Sequence, residues 1–274
     1  MSYKTDNEIM NRLYDHLEFA LNKYPDKDWF VIALQGSQNY GVADENSDID
    51  SKLLILPNMK DLVLDKAAVS HTVVLPNDEH CDVKDTRNYF HIFRKSNINF
   101  VEILFTDYWI VNPKYQDLWL ELRARNEELA RINPYAAVSC MKGMASEKLH
   151  ALCHEYPSRM PWIEKYGYDP KQLSHLIRIS YFIGSYINGI AYQDCIYPKD
   201  ERIRQKLLNI KRDGEGRTKE EAINDAQFTF DTICSAADTY RKEVENKNNP
   251  ELDEFLDNIL YKIMERNIRS ELNG

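Results

Sequence analysis

The sequence predicts an α+β protein, and three observations carry that prediction. Apolar runs of strand length alternate with helical periods through roughly the first 115 residues. The remainder reads as helix almost to the end. Neither an internal repeat nor a low-complexity tract interrupts the 274 residues, a length that suits one domain or two closely packed ones. We place the boundary between 115 and 116, within a short stretch around 112–118 that has no long flexible linker.

The first element is a helix. "NEIMNRLYDHLEFALNKYP" spaces Ile9, Leu13, Leu17 and Leu21 four apart and stops before Pro25, which is amphipathic spacing with a proline end signal. "WFVIAL" is then a strand, and "SDIDSKLLIL" is a second one running to Pro57. "MKDLVLDKA" reads as a short helix or connection, and "EHCDVKD" as short and extended. "TRNYFHIFRKS" turns helical with Asp85 or Thr86 as its cap, and "NINFVEILF" follows with Glu102 in an apolar frame. Beyond "VNPKYQ" the helical reading is broken at Asn133-Pro134 and at "YPSRMPW", "YGYDP", "IYPKDE", "RDGEGR" and "NKNNPELDE".

Composition narrows the function. The start carries no secretory signal pattern and no segment approaches an uninterrupted span, so a cytoplasmic protein without membrane association is expected. Five scattered cysteines, never spaced CxxC, argue against a disulfide framework or zinc cluster. Cys153, His154 and Glu155 are adjacent and point different ways on a helix, which makes them poor joint ligands. A formal charge of −9 keeps the surface as a whole from trapping nucleic acid and leaves only local basic stripes for that role.

The chemistry concentrates in "GSQNYGVADENSDIDSKLLI". Residues i and i+2 of a strand face one way, so Asp48 and Asp50 project together and can share a cation that offsets their repulsion. Gly36 and Ser37 form a tight turn after the first strand, where backbone can approach a phosphate closely. A plain turn accounts for Asp44, Asn46, Ser47 and Asp48 but gives Asp50 nothing to do inside a β segment. An EF-hand loop fails because Ile49 stands at its glycine and Ile55 at its bidentate glutamate, and a P-loop fails because no GK[ST] follows.

This stretch resembles the GS…DxD signature of the DNA polymerase β nucleotidyltransferase superfamily. It is most similar to the predicted nucleotidyltransferases of the RNA-repair-associated branch. "NINFVEILF", "YGYDPKQLSHLIRI" and "LLNIKRDGEGRTKEEA" extend the likeness from about residue 31 to about residue 225. The resemblance implies a small mixed β-sheet nucleotidyltransferase domain over 1–115, with a helical domain over 116–274 completing a nucleotide cleft. It implies a third carboxylate from a later strand. Asp82 is our candidate, about thirty residues past Asp50, with Asp78, Glu79 and Asp85 as competitors and Asp85 better explained as a cap. Glu102 also matches a family position, where its apolar neighbours favour a supporting role.

"DPKQLSHLIRISYFIGSYING" starts at Asp169-Pro170 and puts Lys171, His175 and Arg178 on one helical stripe, continued by Phe182. Leu173, Leu176, Ile177, Ile183 and Ile187 lie opposite. By itself this is an ordinary solvated polar face. The resemblance implies instead that Lys171, His175 and Arg178 face nucleotide phosphates.

The reaction implied is transfer of a nucleoside monophosphate from a nucleoside triphosphate, ATP among them, to a hydroxyl with release of pyrophosphate. Asp48, Asp50 and Asp82 would hold two Mg²⁺ ions, or Mn²⁺, about 3.5 to 4 Å apart, and Gly36 and Ser37 would position the triphosphate. An RNA 3′ end is the expected acceptor. Proteins, small molecules, nucleotide oligomers, or binding without turnover are the alternatives.

Overall fold

The computed structural model describes residues 4–45 and 47–273, and it resolves into two compact units. The first contains 1–39, 45–133 and 248–274; the second contains 40–44 and 134–247.

In the first unit, helix α1 (Asp6–Lys23) is opened by a Thr5–Glu8 capping box and closed at Tyr24, just before Pro25. Strands β1 (Trp29–Gln35) and β2 (Asp50–Ile55) follow, then the one-turn helix α2 (Met59–Val63), β3 (Ser70–Val74) and β4 (His80–Asp85). Helices α3 (Thr86–Phe93) and α4 (Ile98–Val101) lead to β5 (Trp109–Val111), α5 (Gln116–Ala124) and α6 (Asn126–Leu129). Asp85 caps α3 by accepting the Arg87 N–H at 2.9 Å, as the sequence predicts.

The sheet order is β3-β4-β2-β1-β5. It is mixed: β2 and β4 are parallel, and the other neighbours are antiparallel. Leu13, Leu17 and Ala20 of α1 pack on one face against Ile32, Leu53, Ile55, Val73 and Val83. A register shift between Trp29 and Val31 accompanies the turn of Phe30 toward Trp119 of α5 and Tyr115 just before it, both met edge-on.

The second unit is helical: α7 (Pro134–Ala151), α8 (Met160–Tyr166), α9 (Pro170–Ile187), α10 (Tyr192–Ile196), α11 (Glu201–Asp213) and α12 (Lys219–Tyr240). Helix α9 is its hub, packed by α7, α10, α11 and α12. Its N-terminus is made by Asp169, which accepts the Lys171 N–H, with Pro170 in the first turn.

The units divide at 133/134 rather than at the expected 115/116, and the last helix, α13 (Pro250–Asn273), returns to the first unit. Its apolar stripe of Leu252, Leu256, Ile259 and Ile263 is buried, and polar side chains fix its position. Asp253 and Asp257 pair with Arg94, Arg266 forks onto Asp117, and the Asn267 amide donates to the Pro57 carbonyl at 2.7 Å. All five cysteines are free thiols. Among the described residues, no helix is long and apolar enough to cross a membrane.

Candidate functional site

Strand β1 ends at Gln35, opposite Asp50, and the chain turns at Gly36, closed by the Asn39 N–H donating to the Gly36 carbonyl at 3.0 Å. Gly36 has φ +88°, in the left-handed region that favours glycine. A side chain added there would also meet Asp50, whose Oδ2 lies 3.4 Å from the position of that Cβ. The turn and the carboxylate therefore share one small space. Ser37 is partly exposed beside them. The Gly36 N–H donates to Oε1 of the buried Glu102 at 3.3 Å, so Glu102 holds the turn from behind.

Asp50 is the first residue of β2, and Asp48 lies on the extended approach to the strand. The alternation reaches back past the strand end: Asp48 is exposed and Asp50 half-exposed, while Ile49 and Ser51 are buried. The Ile49 N–H donates to Oε1 of Glu79 at 3.3 Å, which pins the approach. His80 of β4 brings its Nδ1 to 3.5 Å from Asp50 Oδ1.

Glu79 is committed elsewhere. Arg12 and the fully buried His16 both reach its Oε2, at 2.6 and 3.0 Å, and His16 Nδ1 lies 2.8 Å from Ser51 Oγ. Neutral His16 satisfies both contacts, its Nε2–H donating to Glu79 and its Nδ1 accepting from Ser51. Burial pushes the Glu79 pKa up, but hydrogen bonds from His16, Asn77 and Arg12 outweigh it and bring it down to about 2. Burial also lowers the His16 pKa, against the pull of Glu79. Asp78 sits at positive φ in the β3–β4 turn. Of the competitors for the third carboxylate, Glu79 is held by Arg12 and His16, and Asp85 caps α3.

Asp82 does lie on the face of the sheet that carries Asp50, since it pairs with Lys52 in the parallel register. It is not gathered with the other two acids. Its Oδ2 is 2.5 Å from Lys52 Nζ and its Oδ1 is 3.0 Å from Lys84 Nζ. Lys52 is 1% exposed and lies over the Phe100 ring, 4.4 Å from its centre. Among the described residues, no three His, Cys, Asp or Glu side chains converge as a metal cluster. Asp48 and Asp50 fit one hard cation by donor type, solvent access and shared direction. Asp82 fits only if an ammonium group leaves.

In the second unit the basic stripe is only partly solvated, with Lys171 and His175 half-buried and Arg178 buried. Arg178 is 5% exposed, its guanidinium carbon 3.8 Å from the centre of the Tyr40 ring, and its Nε and Nη1 have no hydrogen-bond partner among the described residues. Tyr40 belongs to the same unit, as does Gly41, whose φ of +67° and 2.6 Å approach to the Arg204 and Tyr197 side chains exclude a side chain. Phe182 is buried against Tyr186 and Tyr192 rather than presented for stacking. His175 is held well below its ordinary pKa, first by burial and then by Arg178, Lys171, Lys148 and Lys211.

Lys148 and Lys211 complete this cationic group and are absent from the sequence reading, because they come from α7 and α11 and share no spacing with the stripe. Lys211 is tied to the same loop as Tyr40: it donates to the Val42 carbonyl at 3.0 Å and pairs with Asp44 at 3.3 Å. Lys52 was equally hidden, since only the β2–β4 register reveals its partner. No family model and no curated protein matches this chain.

Proposed function

We propose that this protein is a cation-dependent nucleotidyltransferase that moves a nucleoside monophosphate from a nucleoside triphosphate to an acceptor hydroxyl and releases pyrophosphate. The observation that carries the reading is the packing of Asp50 against Gly36. A phosphate-cradling turn and a cation-holding acid share a space that a side chain at Gly36 would fill.

Asp48 and Asp50 are the groups that would hold Mg²⁺ or Mn²⁺, which supplies charge neutralisation at the transferring phosphoryl group. Gly36 and Ser37 bind and orient the triphosphate, and Glu102 fixes the turn that presents them. In the second unit, Arg178, Lys171 and His175 are the proposed phosphate-binding groups, supported by the unsatisfied Arg178 N–H groups. Alignment and charge carry such a transfer, with little covalent work for the protein.

The resemblance favours an RNA 3′ end as acceptor. A formal charge of −9 favours a protein or small-molecule hydroxyl as the second reading. The test is incubation of the chain with each α-labelled NTP and dNTP, Mg²⁺ or Mn²⁺, and a pool of RNA, DNA and protein. Label should move to one acceptor class with stoichiometric pyrophosphate, and not with Asp50→Asn. A folded wild-type protein that neither transfers label nor releases pyrophosphate in any combination defeats the reading.

A further inference from the structure

We infer that the acidic site of the first unit takes one divalent cation, and that the Lys52 ammonium stands where a second ion would neutralise Asp82. This rests on reading Asp48 and Asp50 as the cation-holding pair.

Both oxygens of Asp82 already face an ammonium, Lys52 Nζ at 2.5 Å and Lys84 Nζ at 3.0 Å. Asp82, Lys52 and Lys84 together carry one net positive charge, which repels an incoming dication instead of attracting it. The two lysines differ in how readily they can leave. Lys84 also donates to Ser70 Oγ at 2.7 Å on the edge strand, so it has another acceptor to turn to. Lys52 has no such freedom. It sits on a strand with neighbours on both sides, is 1% exposed, and packs over Phe100. Releasing Asp82 would leave its ammonium buried beside an aromatic ring alone, a costly arrangement.

Lys52 thus does part of what an ion would do. It offsets the Asp82 charge and fixes the direction of the carboxylate, as a point charge with three donors. Being permanently attached, it is opposite Asp82 whatever the metal concentration. Lys52 is in this sense a positioning residue.

The experiment is Mn²⁺ binding to the full, nucleotide-free chain, followed by the paramagnetic resonance signal of the free ion. One ion per chain is expected, lost when Asp48 and Asp50 are both changed to Asn, and still one in Lys84→Met because Lys52 remains. Lys52→Met, shown to be folded by circular dichroism, should admit a second ion. Two ions on the wild-type chain, a second ion appearing in Lys84→Met, or a count that stays at one in folded Lys52→Met each overturns the inference while leaving nucleotidyl transfer standing. If Lys52→Met does not fold, the wild-type and Lys84→Met counts still decide. No Asp48/Asp50-dependent ion at all removes the cation-holding pair itself.

Discussion

The guanidinium of Arg178 lies over the ring of Tyr40, its carbon 3.8 Å from the ring centre, with two of its nitrogens unsatisfied among the described residues and 5% of the residue exposed. An aromatic face steadies a cation without cancelling its charge, whereas a carboxylate would do both. The arrangement suits an arginine kept ready for an anion. Arg178→Met keeps the bulk and removes the charge, so nucleotide affinity should drop by about 1.5 to 3 kcal/mol, the worth of a charge-assisted hydrogen bond. Stability in urea should stay level or rise, because an unpaired buried charge is gone. A structural arginine gives the reverse, with lower stability and unchanged affinity.

His175 supplies a pH signature for the same group. Burial and the surrounding Arg178, Lys171, Lys148 and Lys211 depress its pKa, so the ligand-free folded protein keeps it neutral while the unfolded chain protonates near 6.5. The stability it contributes is present above about pH 6.5 and is lost as pH falls below that value. A phosphate among those cations raises the pKa, so nucleotide affinity should strengthen as pH falls between the bound and free values. Titration of the His175 ring signals by NMR with and without nucleotide measures both, and His175→Gln should flatten the affinity profile. Identical free and bound pKa values would exclude His175 from phosphate contact.

How far these features could be read without coordinates varies by kind. The α1 stripe of Ile9, Leu13 and Leu17, the Asp85 cap and the Asp169-Pro170 start are local, and local rules find them. The alternation through Asp48, Ile49, Asp50 and Ser51 was legible for the same reason. Burial of Arg178 was not, because α9 is covered by four other helices that no local spacing announces. The Lys52–Asp82 pair depends on a parallel register set thirty residues away. Strand β3 was missed since most of its residues are exposed and show no apolar alternation. The return of α13 buries Leu252, Leu256, Ile259 and Ile263, with ion pairs to Arg94 and Asp117, and no spacing rule connects these partners.

Glu79 predicts how the first unit responds to acid. Its pKa lies at about 2, so its contribution is present above the unfolded value near 4.5 and is lost as pH falls from there toward 2. Buried neutral His16 acts in the same direction over a higher window, losing stability as pH falls below its unfolded value. Glu79→Gln should cost about 2 kcal/mol at pH 7, allowing for solvent screening, and flatten the stability slope between pH 4.5 and 2. Urea unfolding at a series of pH values reads both. An unchanged acid slope in the variant would show that Glu79 is not the linked group.

Asp50→Asn should abolish nucleotide transfer and leave the fold intact. The Asn side chain still fills the space beside Gly36, and one of two mutually repelling acids is gone. The melting temperature without metal should match or slightly exceed wild type, and the dependence on added Mg²⁺ should vanish. Wild-type turnover by this variant would exclude Asp50 from the chemistry.

Asp82 requires a different experiment, because removing it alone does two things at once. Asp82→Ala strands the Lys52 ammonium in the interior, and breaking a buried pair from one side typically costs about 3 to 5 kcal/mol. Any activity lost in that variant is therefore confounded with lost structure. The double variant Lys52→Met with Asp82→Leu removes both charges and keeps the volume, so it should recover most of the stability lost by either single change. The cycle of four proteins, unfolded in urea, should give a coupling of more than about 2 kcal/mol between the two positions. If the single variants are additive within about 0.5 kcal/mol, the two side chains act independently and the ion pair contributes nothing to holding β2 against β4.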